Sequence, residues 1–458
     1  MSAKRVLTAS GRVNPNDSPG STPGATPFDS SPVDGPPKEL LRLMALYEDI
    51  YAEFIQHWEK QGLCFEPTGS TTAEAADLLQ ELNRARALSR FGAASISVGA
   101  LSPACHDCAT ASSRRSRTFQ LSFACHRSCY YCLNPDLRHR DGGAVLCDAE
   151  QRHWREEMAE LASAGTRLSH VALSGGEPLL FKGETVDFFS SVKECFPEAW
   201  TRLYTSGDLL EPSDLGELSC AGLDEIRFGL KPDDEPELHL RLLELMGRAK
   251  RAGLVVTVEM PVIPHTRDFM EDLLRRLDSI GIDHINLLEF CWPLHNWREF
   301  KRRGFMIRRP PFDILYPYRY AGGLPVAGSE PDCLALILFA IAEGLSLGLH
   351  YCSLAHKHRE QVYEQNHAYA TEFPDFDFSQ EDFFLWTCKV FGNEVEAARR
   401  LLDACGEGYS LDTKAAFLQC RPYNKEALAA AELHPALSCC IVESRGERTV
   451  LRELALRL

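Results

Sequence analysis

The sequence predicts an α/β protein built on a partial (βα)₆ barrel of the TIM type, with a helical N-terminal addition and an α or α+β C-terminal extension. From Thr118 onward, short apolar runs alternate with amphipathic segments, which indicates repeated βα units and a parallel sheet. Six such runs follow one another, fewer than the eight strands of a closed barrel. The predicted strands are 118–124, 168–174, 201–205, 223–230, 254–262 and 284–290. The predicted helices between them are 149–164, 183–196, 212–219, 235–251 and 266–280.

The chain divides into four predicted segments. Residues 10–37 are rich in Pro, Gly, Ser and Asp and lack apolar periodicity, which is typical of a disordered tail. Apolar residues at 3–4 spacing between Glu39 and Lys60 predict an amphipathic helix. A second helix begins at Thr71, where Glu74 completes a capping box, and both helices are expected to pack against the barrel. The segments are a disordered tail at 1–37, a helical addition at 38–114, the barrel at 115–292 and the extension at 293–458.

The C-terminal extension has weaker patterns. Residues 332–347 predict a buried helix. Two apolar runs, 437–442 and 448–456, fit a β-hairpin, although the second run also fits a helix. A basic run from Arg298 to Arg309 fits either a surface for an anionic substrate or, more commonly, a charged surface helix.

Composition and charge exclude several classes of protein. The 458 residues are 45% hydrophobic and 25% charged, which excludes a collagen-like or wholly disordered chain. The net charge of −16 repels nucleic acid and anionic membranes, so we expect neither as a partner. No apolar run approaches the ~20 residues of a membrane span, and no signal peptide is visible, so we expect a cytoplasmic location. The 17 cysteines then indicate buried thiols and metal ligands rather than disulfides.

Three cysteines follow the first predicted strand in a CxxxCxxC loop. Cys125, Cys129 and Cys132 can bring three thiolates to one centre, and thiolates are the ligands of iron–sulfur clusters. Three ligands leave one iron of a [4Fe–4S] cluster open to a substrate or cofactor. On the spacing alone, a zinc site completed by a distant residue, or a chance group of cysteines, also fits.

A second motif follows the second predicted strand. Gly175 and Gly176 allow the backbone to approach a ligand closely, and Glu177 can meet an amine. The CxxxCxxC loop with an aromatic residue before its last cysteine, followed one βα unit later by Gly-Gly-Glu-Pro, resembles the radical S-adenosylmethionine (SAM) superfamily. The resemblance covers about residues 115–292. The extension resembles an uncharacterised group related to pyruvate formate-lyase-activating enzymes, which brings no substrate with it.

The resemblance implies two cofactors, a [4Fe–4S] cluster and SAM. Cys125, Cys129 and Cys132 would bind the cluster, and the amino and carboxylate groups of SAM would chelate its fourth iron. The residues implied around SAM are Tyr131 at the adenine, Gly175, Gly176 and Glu177 at the methionine amine, Ser206 with Arg227 or Lys231 at the ribose and carboxylate, and 258–262 near the adenine.

The resemblance also implies an activity. Reductive cleavage of SAM would give a 5′-deoxyadenosyl radical, which abstracts hydrogen from an unidentified substrate. Both a peptide or protein and a small metabolite are open as substrates. The alternative is an iron–sulfur electron carrier or binding module without SAM turnover.

Three further residues are candidates for catalysis. Glu259 and Glu289 lie within the fifth and sixth predicted strands, and Cys291 stands just past the sixth. Barrel enzymes place their active-site residues at the carboxyl ends of strands, so all three are expected near the site. Cys291 also fits a small apolar filler.

Two other groups have an expected role in electron transfer or metal binding, each with a simpler interpretation. Cys105 and Cys108, with Cys352 or the pair at 439–440 as partners, fit a second cluster or a zinc site, although buried or free thiols fit better. Basic residues near the cluster loop fit either a docking surface for an acidic electron donor such as flavodoxin or ferredoxin, or solvated loops. These basic residues are Arg114, Arg115, Arg117, Arg138, His139 and Arg140.

Overall fold

The computed structural model describes residues 35–67, 70–84, 88–90, 95–109, 115–134, 153–293, 296–319, 322–445 and 448–458. The helices are α1 Lys38–Lys60, α2 Ser70–Asn83, α3 Pro103–Ala109, α4 Trp154–Ser163, α5 Lys182–Cys195, α6 Pro212–Cys220, α7 Pro236–Arg251, α8 Arg267–Ser279, α9 Trp297–Arg302, α10 Ser329–Glu343, α11 Leu354–Asn366, α12 Val395–Cys405 and α13 Lys425–Ala430. None of the helices in these ranges is both long and apolar enough to cross a membrane. The tail predicted at 1–37 lies outside the described residues up to position 34.

The strands belong to three sheets. They are β1 Leu88–Arg90, β2 Ser95–Val98, β3 Ser116–Gln120, β4 His170–Ser174, β5 Trp200–Thr205, β6 Glu225–Phe228, β7 Val255–Val262, β8 His284–Glu289, β9 Cys291–Pro293, β10 Gly322–Pro325, β11 Gly348–Cys352, β12 Asp377–Phe378, β13 Leu385–Phe391, β14 Tyr409–Asp412, β15 Phe417–Cys420, β16 Ala436–Arg445 and β17 Arg448–Arg457. The described residues form two compact units, which we treat separately.

The first unit, 63–311 with 320–357, contains the predicted barrel. Strands β3 to β8 pair in parallel, each with the next in the chain, which confirms the predicted partial barrel of six βα units. Consecutive parallel neighbours place the carboxyl ends of all six strands at one edge. The first strand ends at Gln120 rather than at the predicted 124, because residues 122 and 124 accept hydrogen bonds from the loop after β4 instead of continuing the strand.

Three more strands extend this sheet, which runs in the order β1-β2-β11-β8-β7-β6-β5-β4-β3. β11 pairs in parallel with β8, and β2 pairs antiparallel with β11. The sequence analysis expected no strand in either region: β2 lies in the segment predicted as helical, and β11 in the extension. β11 follows β8 only after a long insertion, so it stands outside the run of repeated βα units that the sequence pattern shows.

The apolar core of the barrel unit lies mainly on one face of the parallel strands, where paired positions of neighbouring strands are apolar. Val171, Leu173, Ile226, Val256 and Ile285 are fully buried in it. Polar residues such as Arg227 and Glu225 alternate with these apolar residues and are also buried, so they need partners inside the barrel.

The second unit comprises 35–62, 312–319 and 358–458 among the described residues. Its antiparallel sheet has the order β14-β15-β13-β16-β17, with β12 beside β13. The hairpin interpretation of 437–442 and 448–456 is confirmed by the pairing of β16 with β17. The expectation that α1 packs against the barrel is wrong, because Leu40 of α1 is buried with Phe391 and Leu456 of this unit.

Candidate active site

The CxxxCxxC loop leaves β3 at the carboxyl edge of the parallel sheet. Cys125 is buried, and Cys129 and Cys132 are half-buried. Two backbone amides donate to these sulfurs: Arg127 N lies 3.4 Å from Cys125 Sγ, and Asn134 N lies 3.5 Å from Cys132 Sγ. Burial raises the pKa of Cys125 to about 11, so its proton must be displaced when a metal binds.

The loop after β4 is fastened directly to the cysteine loop. Gly176 N donates to Ser122 O at 2.9 Å, and Glu177 N donates to Ala124 O at 2.8 Å. A Cβ atom at Gly176 would stand 1.8 Å from Ala124 O, so no larger residue fits between the two backbones. The two sequence motifs therefore form one structural element, in which the glycines allow the loops to touch.

The carboxylate of Glu177 is buried and fully hydrogen-bonded. Its Oε1 accepts from Leu179 N at 3.1 Å and Thr205 Oγ1 at 2.7 Å, and its Oε2 accepts from Ser206 N at 2.8 Å and Ser206 Oγ at 2.7 Å. Glu177 thus joins the ends of β4 and β5. Ser206, expected at the ribose of SAM, holds the Glu177 carboxylate in this structure.

A cavity of about 220 Å³ opens between these loops. It brings together eleven of the residues that the sequence analysis proposed for the site. These are Cys125, Cys129, Tyr131, Cys132, Gly175, Gly176, Glu177, Ser206, Arg227, Lys231 and Glu259. Pro261, from the stretch expected near the adenine, lines it as well.

Charged residues that the sequence analysis did not select also reach this cavity. Arg127, inside the cysteine motif, lines the wall and donates from Nη1 to Asp208 at 2.9 Å and from Nη2 to Asp234. The neighbouring His126 lies 2.7 Å from the same Asp208 carboxylate. The sequence gives only a weak indication of these ion pairs. An acidic residue lies a few positions after each of β5 and β6, where it can pair with a cation of the cysteine loop.

Arg227 projects from β6 into the barrel and is almost fully buried. Its Nε donates to Glu225 at 2.8 Å and its Nη1 to Glu259 at 2.6 Å. Burial disfavours the charge of Glu259, yet Arg227 and Asn286 outweigh that effect and lower its pKa. The carboxylates of Glu225 and Glu259 already neutralise Arg227. Lys231 is therefore better placed to bind an anionic ligand group, because it lines the cavity and its ammonium has no hydrogen bond among the described residues.

A larger cavity of about 570 Å³ shares Tyr131, Cys132, Gly175 and Pro261 with the first. The two remaining catalytic candidates, Glu289 and Cys291, line it. The other lining residues are mostly apolar or aromatic, with Lys357 adding a positive charge; they are Gln120, Phe123, Leu133, Asn134, Leu288 and Phe290.

Glu289 and Cys291 differ in what they can do at this cavity. Glu289 is held by Arg308 Nη1 at 3.0 Å and Leu354 N at 2.7 Å, so its carboxylate serves mainly to fix two loops. Burial raises the pKa of Cys291 to about 11, which keeps the thiol protonated at neutral pH. A protonated thiol beside a cavity can donate a hydrogen atom.

The donor set fits a [4Fe–4S] cluster. Among the described residues, no three His, Cys, Asp or Glu side chains lie close enough together to bind a single metal ion. The three cysteines of the loop are likewise too far apart to bind one ion. A cluster binds each thiolate at a different iron, so it requires thiols around one cavity rather than around one ion. Three cysteines lining one cavity, with amides directed at two of the sulfurs, meet that requirement.

The cysteines proposed for a second cluster and the basic residues proposed for donor docking lie in different parts of the structure. Cys105 is buried beside Arg227 and Asn286, and Cys108 Sγ is 3.3 Å from His356 Nε2. The cysteines at 439–440 belong to the other unit. Arg117 Nε donates to Glu157 at 2.8 Å on the surface. Arg114, Arg138, His139 and Arg140 lie outside the described residues.

Comparison with known proteins agrees with this arrangement. Residues 119–277 match the family described as the radical SAM superfamily. Over 219 residues the chain is 29% identical to a Methanocaldococcus jannaschii protein whose name assigns it provisionally to the glycyl-radical enzyme activating enzymes, covering 46% of this chain and 54% of that protein. Over 199 residues it is 27% identical to the PqqA peptide cyclase of Ruegeria pomeroyi, covering 42% and 50%.

The chain therefore spans about half the length of these curated relatives. Among solved structures, coproporphyrinogen III oxidase from Escherichia coli, whose description calls it a radical SAM enzyme, aligns over 69% of this chain and 74% of its own, at 13% identity and a TM-score of 0.36. Residues 119–277 are thus similar to the radical SAM superfamily, whose members use a [4Fe–4S] cluster and SAM.

Proposed function

We propose that this protein cleaves SAM reductively at a [4Fe–4S] cluster held by Cys125, Cys129 and Cys132, and uses the resulting radical to abstract hydrogen from a substrate. When bound, the cluster and SAM together supply a 5′-deoxyadenosyl radical. The observation that carries the proposal is the single cavity lined by all three thiols, the Gly-Gly-Glu loop and charged residues from neighbouring strands.

The roles of the chain's own residues follow from the cavity wall. Gly175 and Gly176 leave room for the methionine part of SAM, and Glu177, whose carboxylate accepts four hydrogen bonds, fixes the loop that lies at the amine of SAM. Lys231 provides a positive charge for the SAM carboxylate, and Tyr131 an aromatic surface for the adenine. Glu259 keeps Oε1 without a hydrogen bond among the described residues, so this oxygen can accept from a ligand hydroxyl.

The larger cavity is the proposed substrate site, since it adjoins the first through Tyr131 and Gly175. Its volume of about 570 Å³ accommodates a small metabolite or one or two residues of a peptide. The name of the Ruegeria pomeroyi relative supports a peptide substrate, and that of the Methanocaldococcus jannaschii relative a protein substrate. Cys291 is proposed to face the substrate in this cavity. An electron donor such as flavodoxin or ferredoxin is the proposed reductant.

The test is formation of 5′-deoxyadenosine. The full chain is reconstituted with iron and sulfide without oxygen, mixed with SAM and dithionite, and analysed by mass spectrometry. We expect the product from the wild type and none from Cys129→Ala, because the variant has only two cluster ligands.

Cys220→Ala is the matched control, since Cys220 is exposed at the end of α6 and away from both cavities. It should retain wild-type cleavage. A wild type with a verified [4Fe–4S] spectrum that yields no 5′-deoxyadenosine would instead support the electron-carrier alternative.

A further inference from the structure

Behind the smaller cavity lies a buried network that the proposed function does not use. Cys105, on α3, has its sulfur 3.3 Å from Arg227 Nη2 and 3.2 Å from Asn286 Nδ2. The same two residues hold Glu259 Oε2, at 2.6 Å from Arg227 Nη1 and 3.0 Å from Asn286 Nδ2. Cys105 itself is 7% exposed and does not line either cavity. The sulfur therefore contacts Arg227 and Asn286, and these two residues contact the Glu259 carboxylate, which does line the smaller cavity.

The protonation state of Cys105 decides what this contact can do. Burial opposes ionisation of the thiol, but the Arg227 charge outweighs it and lowers the pKa of Cys105 to about 6. As a thiolate, the sulfur accepts from Arg227 and Asn286. A protonated thiol would instead donate toward Asn286 Oδ1, 3.5 Å away. Protonation therefore removes the acceptor that both donors share.

We propose that Cys105 is a positioning residue of the active site: its sulfur orients Arg227 and Asn286, and through them fixes the Glu259 carboxylate at the SAM cavity. The inference rests on the proposed function for its kinetic test. It explains why the two residues that hold Glu259 meet at one sulfur, and why a cysteine lies in the polar interior of the barrel.

The charged and titratable groups around this sulfur come from four strands besides its own helix. β5 contributes Tyr204, β6 contributes Arg227 and Glu225, β7 contributes Glu259, and β11 contributes His350. Cys352 of β11 is also near, because Cys105 contributes to the raised pKa of that thiol. His350 is engaged on both nitrogens, with Ser95 Oγ at 2.7 Å and Asn286 Oδ1 at 2.9 Å.

The kinetic test compares four reconstituted proteins: wild type, Cys105→Ser, Glu259→Gln and the double variant. Serine keeps the size of the side chain but stays neutral, so we expect Cys105→Ser to raise the KM for SAM about 10-fold, with kcat changed less than about 2-fold. Because Cys105 acts through Glu259, the double variant should be no worse than Glu259→Gln alone. If the increase in KM in the double variant equals the product of the increases in the two single variants, Cys105 acts independently of Glu259. That result would overturn the inference.

The pH profile provides a second readout. In the wild type, the KM for SAM should rise as the pH falls through about 6, where the thiolate takes up its proton. Cys105→Ser should lack this step, and Cys108→Ser, a neutral change on the same helix, should keep it. Equal thermal unfolding and cluster absorbance in all the proteins exclude a folding defect as the cause of the difference.

A direct measurement separates failure of this inference from failure of the proposed function. The ultraviolet absorbance of the cluster-free wild type, minus that of Cys105→Ser, should reveal one thiolate that titrates near pH 6. If the wild type does not cleave SAM but shows this thiolate, the proposed function fails and the charged network stands. If no such thiolate is present, the inference fails whether or not SAM is cleaved.

Discussion

Replacing Gly176 with alanine is expected to lower 5′-deoxyadenosine formation more than about 100-fold, equivalent to over about 2.7 kcal/mol. The added methyl group would lie 1.8 Å from Ala124 O and 2.6 Å from Phe123 O. Both atoms are backbone, so the clash is relieved only by moving the cysteine loop away from β4. That movement breaks the hydrogen bonds from Gly176 N and Glu177 N, and it displaces Cys125, which directly follows Ala124.

The measurement compares cluster content and SAM cleavage in Gly176→Ala with the same values in Gly183→Ala. Gly183 lies at the beginning of α5, and a methyl group there meets nothing within 4 Å. The control variant should retain wild-type activity, and circular dichroism should show both proteins folded. Normal iron content and cleavage in Gly176→Ala would contradict the steric role assigned to this glycine.

The sequence predicts those parts of the site whose residues are adjacent in the chain. The cysteine loop and the Gly-Gly-Glu loop each follow a strand, and consecutive parallel strands bring their carboxyl ends to one edge. Eleven residues proposed from the motifs, the topology and the family resemblance consequently line one cavity.

The parts that the sequence does not predict depend on contacts between distant segments. Arg227 was expected at the SAM carboxylate, but nothing local reveals that Glu225 and Glu259 neutralise it or that Ser102 also bonds it at 2.8 Å. The sequence favours a buried or free thiol at Cys105 over a metal ligand, but it does not show what surrounds the sulfur. Its partners come from β6 and β8, more than a hundred residues away, so its charge is visible only in the folded chain.

The same limit applies to the fold. The six βα units repeat a pattern that periodicity detects, whereas β2 and β11 are short and join the sheet at its end beside β8. The amphipathic pattern of α1 predicts the helix and its apolar face, with Leu40 and Tyr47 on that face. It does not identify the partner, which is the antiparallel sheet formed by the last residues of the chain.

Removal of Arg227 is expected to destabilise the barrel unit by about 3–5 kcal/mol at neutral pH, the usual cost of leaving a buried charge without its partner. Glu225 is 0% exposed and lies 2.8 Å from Arg227 Nε. Burial disfavours its charge, yet Arg227 together with Trp200 and Thr257 lowers its pKa. Without Arg227, the desolvated carboxylate keeps two neutral donors, Trp200 and Thr257, and the charge of Arg202.

The pH dependence of this loss identifies its electrostatic origin. A carboxyl group whose pKa is lowered on folding stabilises the protein above its unfolded pKa, and this contribution disappears as the pH falls through the folded value. The difference in unfolding free energy between wild type and Arg227→Ala should therefore be largest near pH 7 and shrink as the pH falls through the pKa of the buried carboxyl groups in the variant, which burial holds above the lowered wild-type pKa.

Urea unfolding followed by circular dichroism measures this difference, with hydrogen exchange in β5 to β7 reporting on the barrel unit itself. Arg248→Ala is the control, since Arg248 pairs with Glu244 on the surface of α7 at 2.6 Å. An exposed pair of that kind contributes little to stability because water screens its charges, so the control should remain near wild type. A loss in Arg227→Ala that stays constant down to pH 4 would point to lost packing instead, because packing does not titrate. In that case the buried carboxylates would not be what makes Arg227 necessary.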